Sequence, residues 1–402
     1  MLQRALLISG LIFISFQSAF AKPRPQISGV GNVLFVVERE DQSLALVDMD
    51  KMSVTGRIKL SGNMHHATMV FDPALKYGYV ATRNGILTRV NLETLSEDGE
   101  LKTSDNSIGL AISQDGKTIA VSEYQPGGIT FVDTASFKVR QVIPAEVKKD
   151  GKTFRSRVTG LVDGPDNTFV AALMDSDQIW ILGKKDPADP ASNYEIKKRI
   201  KTAAPSPFDA LITPEGRYYI TGHLNADVAS LVDLWNPADK ARRLELDPHK
   251  KPGELPVKMP HMEAWAVAGD KIYVPLTGKK KLALLNSRDF SHIGSVKLIG
   301  NPVYAVVHPN HREIWVTFSG EGVDGKIQVI NTTDNSTDKI INVGKRVYHL
   351  SFTPRGNLAF ASSNLTNELV VINCLNHSII KKVALHSPSG IFGVWRAFEI
   401  GL

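Results

Sequence analysis

The chain has 402 residues, 43% of them hydrophobic and 22% charged, with a formal net charge of +6. That balance excludes a disordered or collagen-like chain, leaves ample apolar material for a core, and is too mild and scattered to argue for nucleic acid. The single cysteine, Cys374, excludes a disulfide framework, a multi-cysteine metal cluster and a covalently attached c-type heme, which needs a Cys-x-x-Cys-His run.

In chain order, the first element is an export signal. Arg4 supplies the positive start, Ala5 to Phe16 the apolar stretch, and Ala19-Phe20-Ala21 the small-x-small cleavage pattern. The stretch is shorter than the ~20 apolar residues that span a bilayer. The expected organisation is a signal peptide over 1–21 and one domain over 22–402, outside the cytoplasm. The signal contains no cysteine, so it offers no acceptor for a lipid anchor.

A repeat organises the rest. Strands closed by turn residues recur eight times, beginning near Leu44 (LALVDMDKMSVTGRI) and ending near Leu369 (LVVINCLNHSIIKKV), at spacings of 42–52 residues. After the first, each is preceded by a turn and a strand, as in SQDGKTIAVSEY, TPEGRYYITGHL, HPNHREIWVTFS and TPRGNLAFASSN. Short alternating strands at this period spell an all-β, eight-bladed β-propeller of the WD40-like kind. One blade cannot bury both its faces, and a closed ring of blades can. The leftover segment GIFGVWRAFEI at the C-terminal end is expected to supply the missing inner strand of the first blade. Asp48, Asp133 and Asp233 read as turn residues, Lys279-Lys280-Lys281 as a solvated hairpin turn, and Cys374 as a packed core thiol.

Aligning the inner strands on their following turns brings certain residues to one face. Six positions before the turn stand His66 and Arg157; four positions before it stand Asp209, Tyr304 and His349. Strand parity puts both sets on the same side, expected to be the channel. His261 and Arg346 flank the set by one residue. An imidazole suits iron, a guanidinium suits carboxylates, and the remaining groups could bind small ligands or move protons. A lone histidine in such a strand is more often a hydrogen-bonded structural residue.

With those residues in hand, the chain resembles the NirF family of periplasmic heme d1 biosynthesis proteins. It is more distantly similar to the heme d1 propeller of cytochrome cd1 nitrite reductase. The segments that carry the resemblance are HATMVFDP (66–73), NSIGLAISQDGKTIAVSEYQPGG (106–128), VTGLVDGPD (158–166), GRYYITGHLNADVASLVDLW (216–235), MPHMEAWAVAGD (259–270) and SPSGIF (387–392). The resemblance implies a periplasmic protein that binds heme d1 or dihydro-heme d1, an iron tetrapyrrole, for nitrite reductase maturation in denitrification. It implies His66 as the iron ligand, Arg83 and Arg157 as partners of the macrocycle's carboxylates, and His349 or His261 on the distal side. Asp163 becomes a candidate proton carrier near the same mouth, although a turn role fits it better. Whether the chain acts as an oxidoreductase on a heme d1 precursor or only holds and delivers it stays open. Expected partners are other heme d1 assembly proteins, cytochrome cd1 nitrite reductase, a c-type cytochrome and a second copy of the chain. The alternative is a non-catalytic scaffold that docks proteins through its insertions at 183–196 and 236–260.

Overall fold

Alternating and doubly apolar strands fold into blades. The computed structural model describes residues 27–400 except 150, 252 and 261–265, so His261 and the expected signal lie outside the described residues. Among the described residues eight antiparallel sheets follow one another along the chain. Their inner strands are Pro388–Gly393 for the first blade, then Thr68–Phe71, Asn106–Ile112, Val158–Asp163 and Pro207–Ile212 for the next four. The sixth is in two pieces, Met259–Pro260 and Ala266–Ala268; the last two are Asn301–Val307 and Val347–Phe352. As expected, the C-terminal strand closes the first blade: it runs antiparallel to Val33–Glu38, with Phe392 opposite Phe35.

Burial explains the composition of each strand. The two middle strands of a blade are covered on both faces by neighbouring blades, so VLFVVE and SLALVD of the first are buried throughout. The outer strands face solvent, and Ser96–Lys102 is polar and largely exposed. Eight apolar clusters result, one at each junction between successive blades. Phe35, Phe71 and Phe392 sit between the first and second, and Val36, Phe360 and Val371 between the eighth and first. Cys374 is buried in the cluster between the seventh and eighth blades, and burial pushes its thiol up to about 12.

The turns follow local side-chain chemistry. Asp48 accepts the backbone N–H groups of Asp50 and Lys51 at 3.0 and 2.9 Å, and Asp133 and Asp233 cap the same turn in their own blades. Lys279 departs from expectation. It is buried, with Nζ 2.5 Å from Asp247 and 3.2 Å from Asp227. Asp247 from the crossover before the sixth blade and Asp227 from a loop of the fifth blade close over it, so this lysine is an internal ion-pair partner. The sequence also gave no warning of the hairpin Glu146–Lys149 and Lys152–Arg155, which rises between the third and fourth blades.

Chain direction fixes two faces. Inner strands start at one mouth of the channel and end at the other. The first mouth also carries the loops that link second to third strands and the crossovers between blades. The two insertions do not share a face. Residues 185–193 turn at the far side, whereas 236–260 divides between a far-side turn and a near-side crossover. No helix among the described residues is long and apolar enough to cross a membrane.

Candidate functional site

His66 stands two residues ahead of the second inner strand, at the mouth where these strands begin. Its backbone is left-handed, φ 56°, a conformation that histidine adopts more readily than most residues and that costs of order 1 kcal/mol or more. The side chain is exposed to solvent at that mouth. Burial, then the charges of Arg83 and Arg39 and the neighbouring His65, hold its imidazole below the ordinary histidine range. At neutral pH the ring is therefore uncharged and its lone pair is available to a metal.

Arginines and tyrosines surround it. Arg83, half-buried on the loop between the middle strands of the second blade, lies over the ring of Tyr124 at 5.2 Å. Arg157 lies over the same ring, also at 5.2 Å, and its Nη1 donates to Tyr124 Oη at 2.9 Å. Arg157 is further locked by a two-pronged pairing with Asp175, which raises its already high pKa and lowers that of the acid. Arg39, from the first blade, lies 4.1 Å over the ring of Tyr348, and its Nη1 is 3.5 Å from His65 Nδ1. Its buried Nε has no hydrogen-bond partner among the described residues. Among the described residues no carboxylate pairs with Arg39 or Arg83, whereas the charge of Arg157 is met by Asp175.

Deeper in the channel, His349 meets Tyr304 edge to face at 5.3 Å and tilts against Phe392 at 5.8 Å. The backbone N–H of Ile391 donates to His349 Nδ1 at 3.2 Å. A nitrogen that accepts carries no proton, so neutral His349 has its proton on Nε2. These two residues sit on β-bulges. In the eighth blade Tyr348 and His349 together oppose Ser362, and in the seventh Val303 and Tyr304 together oppose Thr317. The displaced N–H groups go to hydroxyls instead: His349 N to Ser362 Oγ at 2.9 Å, Tyr304 N to Thr317 Oγ1 at 3.3 Å. A bulge breaks strict alternation and turns consecutive side chains toward one side, which is how Tyr348 joins the rim beside His349.

The structure thus brings His66, Arg83 and Arg157 to one mouth, with Tyr304 and His349 as a contacting pair on the inner strands. Arg346 is exposed at the same mouth, φ 55°, just ahead of the eighth inner strand. Asp209 is buried in the bulge of the fifth, and its carbonyl accepts from Thr221 Oγ1 at 3.1 Å. Asp163 is elsewhere. It ends the strand that Arg157 precedes, and six residues of strand separate the two by about 20 Å. There it lines a cavity of about 330 Å³ with Phe71, Arg396 and Glu399, under the C-terminal segment that covers the far mouth. The expected place beside His66 is corrected accordingly. Arg39, Tyr124, Asp175 and Tyr348 are members of the site that strand alignment missed.

Comparison with known proteins places this geometry. The cytochrome D1 heme domain family matches residues 28–397. Protein NirF of Pseudomonas aeruginosa is 36% identical over 380 residues, 94% of this chain and 95% of that protein. Protein NirF of Stutzerimonas stutzeri is 36% identical over 379 residues, with the same shares covered. The solved structure of dihydro-heme d1 dehydrogenase NirN in complex with DHE superposes with a TM-score of 0.79 at 22% identity, covering 94% of this chain and 78% of that one, a likeness of fold.

Proposed function

Because this chain belongs to the NirF family, within the cytochrome D1 heme domain proteins, we propose that its His66 mouth holds heme d1 or dihydro-heme d1 for heme d1 biosynthesis. The observation that carries the reading is an imidazole that feels two arginines, Arg39 and Arg83, with which no carboxylate among the described residues pairs. That donor set suits an iron macrocycle edged with carboxylates: nitrogen for the metal, guanidinium forks for the acids, and an orphaned Arg39 Nε awaiting an acceptor. When bound, the pigment supplies the iron coordination and the visible absorption.

The chain's own residues hold, orient and shield. His66 would hold the iron of the bound macrocycle through its imidazole nitrogen. Arg39 and Arg83 take the carboxylates, with Arg346 at the rim. Arg157 acts through Tyr124, since Asp175 already occupies its fork. The His349–Tyr304 pair handles protons beside the pigment, His349 from its Nε2–H, with Asp209 on the fifth strand as a further polar group. The nearby phenyl ring of Phe392 keeps that layer apolar. Asp163 has no part here, because it lies at the far mouth. The pigment is held and presented for maturation of cytochrome cd1 nitrite reductase, and docking of other assembly proteins at the near face accompanies that role. The reading places the chain in the periplasm.

Titration with heme d1 and with dihydro-heme d1, followed by absorbance, tests the proposal. Wild type is expected to shift the Soret and red bands on binding. His66→Ala is expected to lose the ligated spectrum and bind roughly tenfold or more weakly. Unchanged spectra with both pigments, or an unaltered His66→Ala titration, would overturn it.

A further inference from the structure

Three of the arginines at the mouth, Arg39, Arg83 and Arg157, are held in two different ways. Arg157 is held by a carboxylate, and the pairing with Asp175 spends its charge. Arg39 and Arg83 are held by aromatic faces, Tyr348 at 4.1 Å and Tyr124 at 5.2 Å. An aromatic face attracts a guanidinium through the ring quadrupole without neutralising it. The N–H edges of the stacked group therefore stay available to an anion.

Each tyrosine is itself fixed. Tyr348 belongs to the bulge of the eighth inner strand, whose register sets its direction. Tyr124 Oη accepts from Arg157 Nη1, and Asp175 fixes Arg157 in turn. Asp175 also accepts the backbone N–H of Arg157 at 2.9 Å, which ties the chain of contacts to the fold. Arg39 and Arg83 come from the first and second blades, on loops that both face His66.

We infer that Tyr124 and Tyr348 are positioning residues that hold Arg83 and Arg39 as a pre-formed pair of carboxylate prongs flanking His66, paired with no acid among the described residues, and so select macrocycles with free peripheral acids over uncharged ones. The inference rests on the proposed binding function and adds its selectivity. Pre-organisation matters because a free arginine loses rotamer freedom on capture, whereas a stacked one has already lost it. Lysine in the place of either arginine would keep the charge and lose both the stack and the fork.

The test compares two probes, heme d1 and its methyl ester, on wild type and on Tyr124→Leu, Tyr348→Leu, Tyr124→Phe and Tyr348→Phe. Each leucine variant is expected to weaken heme d1 about fivefold, the worth of one cation–π contact, and to leave the ester unchanged. Each phenylalanine variant keeps the ring and is expected to stay within about twofold for the acid. Thermal melting of the unliganded proteins checks that the ring of blades persists. Heme d1 held as tightly by the leucine variants as by wild type would overturn the inference. So would equal weakening of acid and ester, which reports a collapsed mouth rather than misplaced arginines. Failure of wild type to bind either probe would sink the binding function, and this inference with it; that outcome is read on wild type alone.

Discussion

His223 shows how a histidine in this fold can be wholly structural. It is buried, its Nδ1–H donates to the carbonyl of Pro205 at 2.8 Å, and its Nε2 pairs with Ser230 Oγ at 2.8 Å. A carbonyl cannot donate, so Nδ1 carries a proton, and burial disfavours a second one on the ring. Burial pushes the imidazole down to about 4. Between that value and the ordinary histidine range the unfolded chain binds a proton that the folded chain refuses. Stability therefore rises with pH across this window, and acid removes about 3 kcal/mol of it. His223→Gln is expected to flatten the dependence between pH 6.5 and 4 in urea denaturation series. A parallel slope in wild type and variant would show that other groups carry it. His66 differs in environment: it is exposed to solvent beside cations, and among the described residues no acceptor fixes its ring. Sequence position singled out His66, because it opens an inner strand. It could not show Arg39, on a loop between strands, or Tyr124, at the end of the repeated strand AVSEY, because both reach the mouth only through blade geometry.

At the level of elements, the bulges of the inner strands decide which side chains meet. Regular alternation explains most blade residues, and it failed where a strand carries one residue too many. A signal was present: Ser122, Thr221, Thr317 and Ser362 fall at one aligned position in the repeated strands AVSEY, YITGH, WVTFS and FASSN. Each hydroxyl serves backbone near a bulge, and a recurring Ser or Thr in an otherwise apolar strand announces backbone that has left the ladder. Gly160 marks the bulge of the fourth blade, with φ +49°. A Cβ there would lie 2.7 Å from Ala210 Cβ and 3.2 Å from the Phe208 carbonyl oxygen. Gly160→Ala is expected to cost about 1–3 kcal/mol, read as a lower melting temperature, because both conformation and space forbid the methyl. A variant that melts with wild type would mean the fourth and fifth blades can move apart there. The misplacement of Asp163 has a simpler origin. Its segment was read as a local motif, although the same alignment makes it the downstream end of the strand that Arg157 opens.

For the molecule as a whole, the repeat count and the closing strand were both legible, since periodic turns and a leftover strand are properties of sequence alone. The fastening of the seam was not. Glu38, fully buried on the first blade, accepts from Arg57 Nε and Nη2 at 2.7 and 3.1 Å, from Ser43 Oγ at 2.8 Å and from the backbone N–H of His386 at 3.0 Å. One carboxylate thus ties the start of the ring to the crossover that delivers its last strand. Glu38→Ala is expected to destabilise by about 2–3 kcal/mol in denaturant titrations, with the discount that Arg57 is a third exposed and can turn to water. A loss below 0.5 kcal/mol would show that strand pairing alone secures the seam.

That fastening joins residues 348 positions apart, and it has a consequence for biogenesis. A chain delivered in order, front end first, presents seven complete blades before the eighth partner of its opening strands arrives. Until then the first blade shows a naked apolar edge, a liability in a crowded compartment. The wall of the socket at Phe392 and Ile391 is likewise missing. On the proposed function, pigment would be loaded after delivery of the full chain, and a chaperone that shields the first blade in the interval would find its target at Val33–Glu38.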